Sequence, residues 1–190
     1  MIRLDRPLIL ASGSPRRKEI LTTMGLSYIV DVSDVDESFN ADPETMVCEL
    51  SRRKALAVSS KHKNAIVLAA DTLVFADKVL GKPHDEAHAK EMLRMLSGNW
   101  HSVYTGVTIV DTATGKVLSK ADQTRVHFVN LSEQEINEYV ASKSPMDKAG
   151  AYGIQDQGGM FIDRIEGSYS NVVGLPMALV RSMLLDLMRN

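Results

Sequence analysis

The stretch Ser12-Gly13-Ser14-Pro15-Arg16-Arg17-Lys18 packs two hydroxyls and three cations into the point where an apolar run passes into a helix. A helix start already carries positive partial charge. Each cation added there costs a few tenths of a kcal/mol, up to about 1, unless something offsets it. A bound polyphosphate would reverse that sign, because helix-start N–H groups, hydroxyls and guanidiniums would all face anionic oxygens. Taken alone, the cluster also reads as a solvated basic turn. The spacing is not that of a Walker loop, since Gly-x-x-x-x-Gly-Lys-[Ser/Thr] is absent.

Asp71 is the second chemical feature. It follows the apolar run Ala65 to Ala70 and is expected at the carboxyl end of a buried strand, the edge at which open α/β sheets place ligands. A carboxylate there can hold a divalent cation or take a proton from water; alone, it reads more simply as a turn cap. Asp36-Glu37 adds candidate metal-ligand oxygen, or is just a polar loop. Lys54 falls on the spacing Val47, Leu50, Lys54, Ala57, so it either covers apolar surface with its stem or carries its ammonium into a phosphate pocket. Lys82, on the tight Gly81-Lys82-Pro83 loop, is equally ambiguous.

In Asp147-Lys148-Ala149-Gly150-Ala151-Tyr152-Gly153-Ile154-Gln155 the small residues let backbone approach a planar ligand, and Gln155 offers a donor and an acceptor to a base edge. A plain glycine loop is the alternative. The run Gly167 to Pro176 either closes a site or turns the chain. His62, His84, His88, His101 and His127 show no zinc spacing, and the His84, His88 pair lacks the adjacent Glu of the metalloprotease motif. Cys48 sits in an apolar pattern and no serine lies in Gly-x-Ser-x-Gly, so covalent catalysis is not expected.

The elements that must position these residues can be read from periodicity and turn signals. Leu8 to Ala11 reads as a strand leading to a helix capped by Ser14, with Pro15 in its first turn, Ile20, Leu21 and Met24 inward, and a stop at Gly25. Tyr28 to Val32 is a second strand, and Asp42-Pro43 opens a helix to about Ser60. A strand over Ala65 to Ala70 precedes a short hairpin at Leu73 to Leu80. Asp85 to Ser97 forms an amphipathic helix with Met92, Leu93 and Leu96 inward. Residues 100–111 alternate as a strand, turn at Thr114-Gly115-Lys116 and return through Val126 and Phe128. Ser132-x-x-Glu135 is a capping box opening a helix. A strand follows at Met160 to Ile165, and Pro176 starts a last helix packed through Leu179, Val180, Met183, Leu184 and Leu187. The interleaving gives an α/β fold, and the long hairpin makes its sheet mixed rather than purely parallel.

At 190 residues and 44% hydrophobic, the chain is sized for one domain, or one core with a small lobe, and can bury a sizeable core. A net charge of −2 and 5% aromatic residues argue against bulk nucleic-acid binding. One cysteine permits no intrachain disulfide. Neither a secretory signal nor a membrane-spanning run is read from the sequence, and a soluble cytoplasmic protein is expected.

Five segments in order resemble the Maf family of nucleotide pyrophosphatases: Leu10-Ala11-Ser12-Gly13-Ser14-Pro15-Arg16-Arg17, Ala69-Ala70-Asp71-Thr72, Gly81-Lys82-Pro83, Asp147 to Gln155, and Val173-Gly174-Leu175-Pro176. The resemblance spans nearly the whole chain. It implies an α/β/α fold with a long twisted mixed sheet related to inosine triphosphate pyrophosphatases, a cleft, a divalent cation (Mg or Mn), a homodimer, and a link to septum formation. By resemblance Asp71 is the proton acceptor, and Ser12, Ser14, Arg16, Arg17, Lys54 and Lys82 contact the triphosphate. Glu37 and Asp71 lie at the metal. The branch acting on dTTP and UTP resembles this chain at Arg16, Thr72 and Gln155, whereas the branch acting on 7-methyl-GTP tends to carry Trp, Gln and Glu there. Hydrolysis of dTTP and UTP, and of modified pyrimidine nucleotides, to monophosphate and pyrophosphate is the expectation this carries. The rivals are the same chemistry on 7-methyl-GTP or another modified nucleotide, and a nucleotide-sensing division regulator that would keep the basic cradle without needing Asp71.

Overall fold

The structure, a computed structural model, describes residues 2–189. Its strands are β1 (Leu8–Leu10), β2 (Tyr28–Val30), β3 (Ile66–Ala76), β4 (Lys78–Leu80), β5 (Trp100–Asp111), β6 (Val117–Phe128) and β7 (Ile162–Glu166). Its helices are α1 (Pro15–Thr23), α2 (Pro43–Ser59), α3 (Glu86–Leu96), α4 (Glu133–Ala141), α5 (Tyr169–Val173) and α6 (Met177–Met188). The strands form one sheet in the order β2-β1-β3-β5-β6-β7, with β4 paired to β3. β1 runs parallel to β2 and β3, while β3–β4 and β6–β7 are antiparallel, so the mixed α/β reading holds.

The chain divides into two compact units. The first comprises Met1–Asp71, Thr105–Asp122 and Gly174–Asn190; the second comprises Thr72–Tyr104 and Gln123–Val173. In the first, Ile9 and Ala11 pack with Val67 and Ala69 of β3, Val110 of β5, and Ala55 and Val58 of α2. Gly106 lets α2 approach β5 closely: a Cβ there would meet the Val47 carbonyl, which is helix backbone and cannot swing aside. Beside that contact Ser51 shares a hydrogen bond with Thr108 (2.8 Å), and Thr108 one with Ser119 (2.9 Å), so the polar residues enclosed there are satisfied.

In the second unit Leu93 and Leu96 of α3 and Ile136 and Val140 of α4 share a core with Val103, Val126, Phe128 and Tyr152. The capping box forms as expected: Ser132 accepts from the Glu135 amide and the Glu135 carboxylate accepts from the Ser132 amide. It stabilises the helix start by about 1 kcal/mol.

Several sequence expectations need correction. Asp71 does not end its strand, because β3 runs unbroken through it to Ala76. What ends nearby is the parallel pairing: the last β1–β3 partners are Leu10 and Leu68, and β3 then takes β4 over Val74 to Ala76. A strand that changes partner keeps its extended backbone while its burial pattern changes, and the sequence registers only the second. β5 alternates only from Trp100 to Tyr104; from Thr105 to Asp111 every residue is buried, because both faces are covered and Thr108 hydrogen-bonds internally. In α2 the inward stripe is Val47, Leu50, Ser51, Ala55 and Val58, with Ala57 at its margin. Tyr28–Val30 is shorter than expected. The expected strand at Met160 starts at Ile162, because Gln157–Phe161 coil into a 3₁₀ turn that leaves Met160 exposed.

Candidate active site

At the start of α1, Pro15 takes the first helical position and the first turn carries no acidic residue. In contrast, α2, α3 and α4 each place glutamate there, the side chain that a helix dipole favours. Ser14 occupies the N-cap position but makes no side-chain cap hydrogen bond, which corrects the expectation for it. Its amide instead donates to Ser12 Oγ at 3.3 Å. The Arg17 guanidinium donates to Ser12 Oγ (3.1 Å) and, through Nε, to the Gly174 carbonyl (2.9 Å). Gly174 has φ +121, which L side chains rarely adopt, so the carbonyl is presented by a backbone that glycine alone enters freely. Arg16 is half-buried in the same turn.

The carboxylates belong to the same unit. Lys54 of α2 donates to Asp71 Oδ1 at 2.6 Å and lies 2.8 Å from Glu37 Oε1, with the Lys54 and Asp71 side chains both 14% exposed. Lys54 is therefore not covering apolar surface: two acids meet on its ammonium. Arg17 belongs to the same field. Burial pushes its guanidinium down from its ordinary value, Asp71 opposes that, Arg16 adds to it and Glu37 opposes it; the group stays charged because an arginine does not lose its proton in a protein. Lys54 thus joins the two acids directly, and the charges of Asp71, Glu37 and Arg16 all act on Arg17 of the proposed anion cradle.

That donor set fits a divalent cation. Two hard carboxylate oxygens already converge on one positive charge, and Mg²⁺ characteristically takes one or two carboxylates and completes its shell with water and phosphate oxygens. Among the described residues no group of three or more His, Cys, Asp or Glu side chains gathers to form an all-protein cage.

Thr72, Lys82 and Gln155 belong to the second unit. Thr72 follows Asp71 along β3, half-buried, and Lys82 is exposed on its loop, where the Gly81 carbonyl accepts from the Gly150 amide. Gln155 is exposed on a turn that is pinned on both sides. The Tyr139 hydroxyl accepts from the Gly153 amide (3.1 Å), and Asp156 accepts from Tyr139 (2.9 Å), Ser144 (2.6 Å) and the Gly158 amide (2.7 Å). Tyr152, within the same Gly-rich stretch, bonds His101 at 2.8 Å, and burial pushes that imidazole down to about 4, which keeps it neutral near pH 7. The run Gly167 to Pro176 holds a short helix, α5. Its buried Asn171 donates to the Val103 carbonyl (3.0 Å) and to Thr124 (2.9 Å).

Sequence reasoning missed the Gly174 carbonyl as Arg17's anchor and also Arg53, which packs against the Glu37 loop. Only the Gly174 position carried a signal, as a glycine in a matched segment. Cys48, half-buried with its thiol pushed up by desolvation, is not activated. His84 and His88 stack on one another at 4.1 Å near the surface.

The pattern of the Maf-like protein family matches residues 7–187. The chain belongs to this family. Among Maf-like relatives, a dTTP/UTP pyrophosphatase of Bacillus mycoides (strain KBAB4) is 50% identical over 182 residues, 94% of each chain. A protein of the same description from Bacillus cereus (strain AH820) is also 50% identical over the same share of both chains, and one from Bacillus anthracis (strain CDC 684 / NRRL 3495) is 49% identical. Among solved structures, a HAM1 protein from Coxiella burnetii superposes with a TM-score of 0.54 at 15% identity, covering 97% of this chain and 100% of the other. At that identity the likeness bears on fold alone, and it agrees with the expected mixed-sheet architecture. No helix among the described residues is long and apolar enough to cross a membrane.

Proposed function

We propose that this Maf-like chain is a nucleoside triphosphate pyrophosphatase that converts dTTP and UTP to the monophosphate and pyrophosphate. The observation that carries the reading is the Lys54 ammonium shared by Asp71 and Glu37, in the same electrostatic field as Arg16 and Arg17. The relatives described as dTTP/UTP pyrophosphatases, half identical over nearly the whole chain, support the substrate class. In this reading Ser12, Ser14, Arg16, Arg17, Lys54 and Lys82 offset the charge of the triphosphate. Asp71 accepts the proton of a water whose oxygen forms a bond to the α-phosphorus, and the bond to the bridging oxygen of the β-phosphate breaks. Pyrophosphate leaves against the arginines. Positioning and preorganised charge carry the rate, without a covalent enzyme intermediate.

Asp71 and Glu37 would hold a divalent cation, Mg or Mn, which when bound supplies further positive charge to the phosphate oxygens. Gln155 reads the base: its amide matches the adjacent carbonyl and N–H of thymine or uracil, while a Glu would suit the donor edge of guanine. Arg16 and Thr72 complete the pyrimidine pattern. A homodimer and a cytoplasmic location belong to the same proposal.

The test is a nucleotide screen of the purified protein with Mg²⁺ or Mn²⁺, reading release of pyrophosphate separately from that of single phosphate. The expected result is pyrophosphate from dTTP and UTP, with turnover of the folded Asp71→Asn variant reduced about 10²–10⁴-fold. Single-phosphate release, a preference for 7-methyl-GTP, or an Asp71→Asn rate near that of the parent protein would each overturn a stated part of it.

A further inference from the structure

Glu37 lies on the loop between β2 and α2, and a loop carboxylate holds a cation well only if its backbone is fixed. The fixing group is visible one residue before Lys54. Arg53 Nη1 donates to the carbonyls of Asp36 (3.2 Å) and Ser38 (3.3 Å), the two residues that flank Glu37. Its Nε donates to Glu49 Oε1, one turn back on α2, at 2.9 Å. The guanidinium also lies over the Phe39 ring, 5.0 Å from its centroid. From within the loop, the Asp36 carboxylate accepts from the Ser38 amide (2.8 Å) and hydroxyl (2.5 Å), closing a turn with Glu37 at its tip.

We infer that Arg53 is a positioning residue: it clamps the peptide on either side of Glu37 to α2, so that Glu37 and Asp71 meet on one cation. The inference rests on the proposed role of Glu37. Successive residues of one helix then divide the work, Arg53 holding the loop's backbone and Lys54 meeting its carboxylate. The geometry requires an arginine. A planar guanidinium reaches Glu49 through Nε and two carbonyls through one terminal nitrogen while stacking on Phe39, whereas a lysine ammonium has neither the fork nor the plane. Arg53 acts through Glu37, so its loss is expected to weaken the cation site without removing a group that touches the triphosphate.

The experiment measures Mn²⁺ affinity directly, by electron paramagnetic resonance of free Mn²⁺ in the presence of a non-hydrolysable dTTP analogue, alongside kcat and KM. Five proteins are compared: the parent chain, Arg53→Ala, Arg53→Lys, Glu37→Gln and the variant that combines Arg53→Ala with Glu37→Gln. Arg53→Ala is expected to weaken Mn²⁺ binding about 10-fold, within the range for loss of a group that orients a metal ligand, and to lower kcat at subsaturating metal with KM for dTTP held within about 2-fold. Excess Mn²⁺ should restore its rate. Arg53→Lys should fall near Arg53→Ala, and because it keeps charge and stem it answers the question should the alanine variant fail to fold. Adding Arg53→Ala to Glu37→Gln should cost little more. If Glu37→Gln weakens Mn²⁺ binding and neither Arg53 variant does, the clamp is wrong and the Glu37 assignment stands. If Glu37→Gln itself leaves Mn²⁺ affinity unchanged, both fail.

Discussion

The candidate site residues combine charges in a way that a helix start or a strand interior would not choose for stability. Arg16 and Arg17 sit where α2, α3 and α4 place glutamate, and Lys54, Asp71 and Glu37 bring one cation and two anions into a partly enclosed space. In the proposed reading an arrangement that is awkward by itself becomes favourable when a polyanion and its counter-cation join it. Selectivity is a separate matter of hydrogen bonds. Replacing Gln155 with Glu removes the amide donor that would face a pyrimidine carbonyl, so kcat/KM for dTTP should fall about 100-fold or more. Measuring dTTP, UTP and 7-methyl-GTP side by side checks this; an unchanged ranking would take Gln155 out of base recognition. The residue types were legible in sequence because charge placed against a dipole is visible in the letters. Their partners were not. Nothing in the string says that Arg17 rests on the Gly174 carbonyl or that Lys54 holds Asp71, since both contacts join residues far apart along the chain.

Elements that are set locally were read well. The Ser132–Glu135 capping box, the helix start at Asp42-Pro43 and Pro176 at the head of α6 each depend on neighbours within a few residues, and each forms, whereas the Ser14 side-chain cap does not. The readings that slipped depend on the whole sheet. β3 was expected to stop before Asp71 because the run of buried residues stops there, yet the strand changes partner and continues. The apolar spacing sets the α2 stripe one position off because it takes Lys54 as an inward residue; two acids, rather than apolar contact, draw Lys54 in. Gly106 was invisible as a packing residue, although α2 comes within contact of β5 at this point only because no side chain intervenes. Gly106→Ala should therefore destabilise the fold by roughly 2–3 kcal/mol through overpacking against helix backbone. The expected drop in Tm is about 4–12 °C, at about 2–4 °C per kcal/mol for a chain of this size. Since α2 carries both Arg53 and Lys54, its activity should fall at temperatures where most molecules remain folded. A thermal melt with parallel assays would show it, and an unchanged Tm would mean that the helix has room to retreat.

For the molecule as a whole, the sequence suggested one domain or a core with a small lobe, and the chain resolves into two compact units, the first of which is assembled from three separate stretches. Part of what joins those stretches is an enclosed ion pair: Arg6, just before β1, bonds Asp111 at the end of β5, and Asp111 also accepts from the Ala113 amide (2.9 Å). The Arg6 guanidinium beside it lowers the Asp111 carboxyl to about 2, against an ordinary value near 3.9. A carboxyl whose folded value is depressed contributes stability that is complete above its unfolded value and is lost as pH falls towards the folded one. Asp111 should thus contribute on the order of 2–3 kcal/mol at neutral pH, eroding between about pH 5 and pH 2. Urea titrations of the parent and of Asp111→Asn should differ by that amount at pH 7 and converge by about pH 2; a gap that does not change with pH would assign the loss to packing. The three-stretch assembly has one more consequence, for synthesis. Arg17 leans on a carbonyl 157 positions further along the chain. A polypeptide still emerging from the ribosome holds every letter of the Ser12 to Lys18 segment early, but that guanidinium lacks its distant anchor until translation has passed Gly174, so an interrupted product would carry the motif with its cradle only partly braced.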